Sequence, residues 1–143
     1  MYHAEISDFE TVKEIFYLHK KWFPHIRTDY MKRMIAKKNL ILENDVVITY
    51  NFYKRKQKIG DIQAFKDDCI LHQIAAKGKG TASDVLQKFF KFVNRRVYLS
   101  VRSDNKIAKN FYLRNNMKLV GKTSWAKGTL PGDVYVYNEN QVI

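Results

Sequence analysis

Ile70-Leu71-His72-Gln73-Ile74-Ala75-Ala76-Lys77-Gly78-Lys79-Gly80-Thr81-Ala82-Ser83 is the stretch that decides how this chain is read. Residues 69–76 are mostly apolar and β-prone, which predicts a buried strand. A basic turn with two glycines follows. From Gly80 or Thr81 to about Asn94, the residues Ala82, Val85, Leu86, Phe89, Phe92 and Val93 recur at helical spacing, with Lys88, Lys91 and Arg95 elsewhere. A strand–turn–helix of this kind aims backbone N–H groups and the positive end of a helix dipole at one point. Such a point binds phosphate-like anions.

Downstream, residues 96–101 read as a strand. Ser103 or Asp104 then caps a helix running to about Asn115. Residues 119–126 and 133–138 read as two closing strands, separated by the turn Lys127-Gly128-Thr129-Leu130-Pro131-Gly132. Upstream, residues 2–6 predict a short edge strand. Ser7 and Glu10 have capping-box spacing, and Phe9, Val12, Ile15, Phe16, His19, Trp22 and Phe23 form one apolar helix face that Pro24 ends. A second helix is expected from Thr28-Asp29 to about Lys37, burying Tyr30, Met31, Met34 and Ile35. Residues 39–43 and 46–53 read as strands joined at Asn44-Asp45, a pair suited to a hairpin turn. Gly60 and Asp67-Asp68 bracket a segment read as a short strand or a loop.

No internal repeat, low-complexity tract or linker interrupts the 143 residues, so one domain over 1–143 is expected. The fold class is α/β (α+β), a mixed and mostly antiparallel sheet with helices on both faces. A hydrophobic content of 45%, with nine Phe, nine Tyr and two Trp, is enough to fill a core. No apolar run reaches the roughly 18 residues that a membrane-spanning helix needs, and the N-terminus has no signal-like core. Cys69 is the single cysteine, so no intrachain disulfide can form. The expectation is a soluble cytoplasmic protein without a membrane partner. Twenty-six Lys+Arg against 14 Asp+Glu give a formal charge of +12, which favours polyanionic partners.

Spacing narrows the ligand of the glycine turn. A Walker sequence is absent, and a dinucleotide fingerprint needs a third small Gly where Ser83 stands. A turn that merely needs glycine dihedrals is the plain structural reading. The second half of the chain adds to this. Lys77-Gly78-Lys79-Gly80-Thr81-Ala82 follows the Gln/Arg-x-x-Gly-x-Gly/Ala acyl-CoA pattern, with Lys in the first slot. Asn105-Lys106-Ile107-Ala108-Lys109-Asn110-Phe111-Tyr112-Leu113-Arg114-Asn115-Asn116-Met117 follows a second pattern at Asn105, Ala108, Phe111 and Tyr112. Asn116 stands where Gly is usual, and Asn tolerates the left-handed conformation of a helix end. On these motifs the chain resembles the GCN5-related N-acetyltransferase superfamily. One departure is visible: Ile74-Ala75-Ala76 leads directly into Lys77, where the family usually places several further residues.

The resemblance implies an N-acetyltransferase that uses acetyl-CoA or another acyl-CoA. It places the coenzyme diphosphate on the N–H groups of Gly78, Lys79, Gly80, Thr81 and Ala82, with added charge from Lys77 and Lys79. It places the pantetheine arm along Ile74, Ala75 and Ala76. Asn105, Ala108 and Tyr112 share a helix face; Ala108 leaves room for the arm, Asn105 either contacts it or holds the helix turn, and Tyr112 is the general acid or a core tyrosine. No general base stands out. His72 is the most attractive titratable group, with a satisfied strand histidine as the plainer reading, and Glu43, Asp68 and Asp104 are weaker. Cys69 and His72 face opposite sides of a strand and make no nucleophile–base pair. His3, His19, His25 and His72 have no metal-ligand spacing, so no metal is expected.

The family's acceptor groove lies at the first two helices, which here carry Lys20, Lys21, Trp22, His25, Arg27, Lys32, Arg33, Lys37 and Lys38. Residues 54–58 add the densest basic run, after Tyr50, Phe52 and Tyr53. Basic and aromatic side chains together suit a nucleic-acid or nucleotide acceptor; a solvated face over an aromatic core is the alternative. The small size, basic charge and shortened turn are also similar to Mom-type DNA-adenine-modifying proteins, a divergent branch of the superfamily. A binding module without catalysis is a third reading. Oligomeric state does not follow from the sequence.

Overall fold

Residues 1–138 are described by a computed structural model. Residues 139–143, the end of the expected domain, lie outside the described residues. In chain order the elements are α1 (Phe9–Leu18), α2 (Thr28–Ala36), β1 (Leu40–Glu43), β2 (Val46–Phe52), β3 (Gln57–Ile59), β4 (Ile62–Ala64), β5 (Cys69–Ala76), α3 (Ala82–Val93), β6 (Val97–Arg102), α4 (Lys106–Arg114), β7 (Lys118–Trp125) and β8 (Leu130–Tyr137). Six strands form one sheet in the order β1-β2-β5-β6-β8-β7, and β3 pairs with β4 apart from it. The β1–β2, β6–β8 and β7–β8 pairs are antiparallel, whereas β5 and β6 run parallel through Cys69↔Val97 and Ile70↔Tyr98. The expected mixed, mostly antiparallel sheet is observed.

Two compact units divide the chain: Met1–Tyr50 with His72–Phe89, and Asn51–Leu71 with the residues from Phe90 onward. In the first, Val12, Ile15 and Phe16 of α1 and Met31, Met34 and Ile35 of α2 pack with Leu40, Val47 and Ala75. Val47 and Tyr50 point to opposite faces of β2, because side chains alternate along a strand. Tyr50 meets Phe89 of α3 edge-on, with ring centroids 5.1 Å apart. Helices therefore cover both faces of β2. In the second unit Val134 and Val136 pack with Tyr98, Ala64, Ile59 and Ile62, so the β3–β4 hairpin covers one face of β8. Tyr137 on the other face stacks on Phe90 at 3.9 Å.

Several local expectations are corrected. Residues 2–6 form no strand beyond a single bridge, His3↔Ile41, and a 3-10 turn, Ile6–Asp8, follows. The capping box lies at Glu5 and Asp8, not at Ser7 and Glu10, because Asp8 accepts the Glu5 N–H at 2.9 Å. The first helix ends at Leu18, well before Pro24. Its exit is set by His19, whose Nε2 bonds the Ala76 carbonyl oxygen at 2.7 Å and whose own carbonyl takes the Trp22 and Phe23 N–H groups. Phe92 is 45% exposed, and Phe90, not expected in the core, is buried in its place. The segment bracketed by Gly60 and Asp67 holds one short strand, β4, which pairs back across Gly60 with β3.

Candidate active site

The glycine turn is built within the first unit. β5 ends at Ala76, and the Lys77 N–H donates to the Asp45 carbonyl oxygen at 2.8 Å. Four residues further on, the Thr81 hydroxyl donates to the Asn44 carbonyl oxygen at 3.2 Å. Asn44 and Asp45 have φ of 50° and 60°, the left-handed pair of a type I′ hairpin turn. The β1–β2 turn therefore clamps both ends of the segment that holds Gly78 and Gly80. Those glycines have φ of 95° and 93°, which other residues rarely adopt, and a Cβ added to either would meet nothing within 4 Å.

No hydrogen bond among the described residues takes the N–H of Gly78, Lys79, Gly80, Thr81 or Ala82. This open row of donors at the start of α3 fits the oxygen-rich diphosphate of a coenzyme A. Lys79 is exposed beside it, whereas the Lys77 ammonium is 2.9 Å from Glu14 Oε1 and already holds a carboxylate. Of the three strand residues expected along a pantetheine arm, Ala75 is buried in the core and the Ala76 carbonyl accepts from His19. Ile74 is half-buried.

His72 keeps an exposed surface on β5. Crowding by neighbouring atoms, and then the Lys37 charge, lower its pKa, so the ring is neutral at pH 7. Its neighbour Gln73 belongs to a polar trio that the sequence did not suggest. The Gln73 Oε1 accepts from the Tyr30 hydroxyl at 2.9 Å and from Thr49, and the Thr49 Oγ1 accepts the Gln73 N–H at 3.1 Å. A fully buried Thr49 is thereby satisfied. A cleft of about 330 Å³ lies at the end of α1, lined by Phe16, Tyr17, Lys20, Phe23, Pro24 and Ile26. Much of the expected basic surface here lies against aromatic rings: Lys21 over Trp22, Lys32 over Phe9 and Arg33 over Tyr30.

The second unit carries α4. Asn105 is its N-cap, not Ser103 or Asp104: Asn105 Oδ1 accepts the Ala108 N–H at 3.2 Å. The oxygen assigned to cofactor contact thus has a helix-capping task. Asn116 ends the helix with φ of 67°, the left-handed conformation expected of it. Asn115, not singled out from the sequence, is buried and donates to the Phe111 carbonyl oxygen at 2.9 Å.

Tyr112 is 8% exposed between the rings of Phe111 and Tyr135, with centroids 5.6 and 5.9 Å away. No hydrogen bond among the described residues engages its hydroxyl. Burial raises its pKa well above the usual phenol range, so it holds its proton at any physiological pH. The weaker base candidates are occupied: Glu43 faces Lys88, Asp68 faces Arg96 and Asp104 faces Arg102.

A buried carboxylate that the sequence did not mark lies beside α4. Asp133 on β8 has Lys122 Nζ at 2.7 Å and the Ser103 hydroxyl at 2.8 Å, both on Oδ1. Lys109 Nζ lies 2.8 Å from Oδ2, in ion-pair contact but outside hydrogen-bond geometry. Burial pushes the Asp133 pKa up; the two ammoniums and the hydroxyl outweigh it and hold the carboxyl far below its usual range.

No protein-family model matches the sequence, and no similarity to a curated protein is found. Solved structures do match in fold. An acetyltransferase of the GNAT family from Bacillus cereus superposes with a TM-score of 0.74 at 16% identity, covering 96% of this chain and 94% of its own. Arabidopsis thaliana NAA60 in complex with acetyl-CoA superposes with a TM-score of 0.69 at 16% identity, covering 96% of each chain. A ribosomal-protein-alanine N-acetyltransferase from Brucella melitensis gives 0.70 at 10% identity, over 95% of this chain and 97% of its own. The chain has the GCN5-related N-acetyltransferase fold.

Proposed function

We propose that the chain is an acetyl-CoA-dependent N-acetyltransferase acting on an amine, with residues 1–143 as a single acyltransferase domain. The observation that carries this reading is the open glycine turn: unpartnered N–H groups from Gly78 to Ala82, at a helix start, with space where side chains would otherwise stand. The fold shared with acetyltransferases supports it.

In this reading Gly78, Lys79, Gly80, Thr81 and Ala82 hold the coenzyme diphosphate. Ile74, Ala75 and Ala76 border the pantetheine arm, and Asn105, on the second unit, is assigned to the cofactor by the family resemblance. Bound acetyl-CoA supplies an activated acetyl group. Tyr112 keeps a proton on its phenol oxygen, ready for a departing thiolate. His72, neutral at pH 7, takes the proton that an acceptor ammonium must lose before it can attack. Glycine at 78 and 80 lets backbone, rather than side chain, face the phosphates.

Within this reading the +12 charge favours an acceptor amine carried on a nucleic acid or nucleotide. A Mom-like adenine-modifying activity and a catalytically lapsed binding module have that charge alone as support. The test is twofold. Mass spectrometry of the purified chain under non-denaturing conditions should find a co-purifying acyl-CoA, and a thiol reagent should detect coenzyme A release from acetyl-CoA that depends on an added amine. Absence of a bound acyl-CoA together with absence of amine-dependent release across polyamines, amino acids, peptides and nucleotides would remove the proposal.

A further inference from the structure

We infer that a loop cluster in the second unit is a docking surface for the phosphate backbone of single-stranded nucleic acid, independent of any acyl transfer. Its construction comes from pairing. Gln57↔Ala64 is one end of the β3–β4 ladder. Beyond it the two flanking stretches stay together, because the Tyr53 N–H donates to the Asp68 carbonyl and the Asp67 N–H to the Tyr53 carbonyl, each at 2.8 Å. Residues 54–56 therefore run beside residues 65–66. A third stretch joins them: the Cys69 N–H donates to the Arg96 carbonyl at 2.8 Å, and Arg96 Nε donates to Asp68 Oδ1 at 3.2 Å.

This gathers Lys54, Arg55, Lys56, Lys66 and Arg95, all exposed, from three separate parts of the sequence. None of the five is in an ion pair among the described residues. The acids within these loops are Asp67 and Asp68, and Asp68 is buried against Arg96. The cluster thus sets five exposed cations against one exposed carboxylate, Asp67, a net positive field suited to a chain of phosphates.

Phe65 adds the aromatic element. It is 46% exposed in the midst of these cations. Its N–H is fixed by Asp68 Oδ2 at 2.9 Å, and the Arg96 guanidinium lies over its ring at 5.7 Å. An aromatic ring held at solvent beside a guanidinium is a stacking platform for an unpaired base. A duplex, whose bases are stacked inside, has no use for it. Basic loops are also drawn to an anionic membrane surface, but a ring held beside a guanidinium favours an unpaired base.

The test is fluorescence anisotropy of a labelled oligothymidylate of about 20 nucleotides, longer than a typical single-strand site, with the full chain at about 50 and 200 mM salt. Binding should weaken with salt. The triple variant Lys54→Ala/Arg55→Ala/Lys56→Ala should bind at least about tenfold more weakly, with a log–log salt slope smaller by about 2. Phe65→Ala should weaken the single strand about tenfold and leave duplex binding unchanged. Lys118→Ala/Lys127→Ala, at exposed lysines on β7 and in the turn after it, should change neither. A melting curve establishes that each variant is folded. The inference is overturned by absence of binding at the lower salt, by an equal loss in the Lys118/Lys127 variant, or by Phe65→Ala having no effect. Phosphatidylserine vesicles bound through residues 54–56 by a chain that leaves the oligonucleotide free would reassign the surface to a membrane. Coenzyme A enters none of these measurements, so they stand or fall apart from the acyltransferase reading.

Discussion

Tyr112 has a buried ring, and no hydrogen bond among the described residues engages its hydroxyl. In the proposed mechanism its proton goes to the departing thiolate. Tyr112→Phe keeps the ring and removes the proton, so turnover should fall by about a hundredfold or more while coenzyme A affinity is unchanged; steady-state kinetics beside calorimetry checks this. His72 titrates below the ordinary imidazole value. If it takes the acceptor's proton, kcat/KM should fall on the acid side below that value, and His72→Gln should abolish the limb. Asp133 is a matter of stability. Its folded pKa lies below the unfolded one, so its contribution is full above about pH 4 and is lost as pH falls toward the folded value. Asp133→Asn should cost about 3 kcal/mol at neutral pH in urea unfolding, with the gap to the parent chain closing below about pH 4. Asn116 was legible because a helix end needs a residue that tolerates positive φ. Asp133 was not: Lys122 meets it through strand register, and Ser103 and Lys109 reach it from the end of β6 and from α4.

The β1–β2 turn and the glycine turn act as one device at the scale of elements. The Asn44 and Asp45 carbonyls hold Thr81 and Lys77, the two ends of the glycine turn proposed to bind the diphosphate. Thr81→Val removes one anchor at an exposed site, worth about 1 kcal/mol. It should lower coenzyme A affinity several-fold in a titration while lowering the melting temperature by only about 4 °C. The hairpin itself was readable from Asn44-Asp45, because left-handed conformations at both central residues select such pairs. Its role as a clamp was not, since that depends on which backbone carbonyls face the next turn. Helix ends show the same division. Pro24 predicted a long α1, but a tertiary bond from His19 to Ala76 takes the chain out of the helix earlier. On α3, Phe90 and Phe92 flank the apolar stripe on opposite sides at about 100° per residue. Periodicity cannot choose between them, and the Tyr137 ring does.

At the scale of the whole molecule, the order of elements and the mixed sheet were readable because strands, helices and turns each have a local signature, and the two motifs fall in the right places along it. A ligand bound by the folded chain alone must stabilise it. Coenzyme A at about a hundred times its dissociation constant should add about 2.7 kcal/mol, a rise in melting temperature on the order of 10 °C for a chain of this length. Differential scanning fluorimetry reads it, and inorganic phosphate at the same concentration should give far less. Charge was equally legible and less decisive. Several of the basic residues at α1 and α2 turn out to lie over aromatic rings, which no count of lysines reveals.

The outermost strands, β1 and β7, are each met by another part of the same chain. Along β1, the Ala4 N–H donates to the Leu40 carbonyl and the Leu42 N–H to the Tyr2 carbonyl. Along β7, Asp61 takes both backbone groups of Lys122, its N–H donating to the Lys122 carbonyl and its carboxylate accepting the Lys122 N–H. That approach is possible because Gly60 and Gly121 lack side chains: a Cβ on Gly60 would strike the Lys122 carbonyl, and one on Gly121 would strike Asp61 and Ile62. These contacts are stoppers against runaway strand addition, since an open rim recruits foreign chains. A Gly60→Val chain would lift its own stopper from β7, and its failure would show in the test tube as concentration-dependent clumping of otherwise folded molecules.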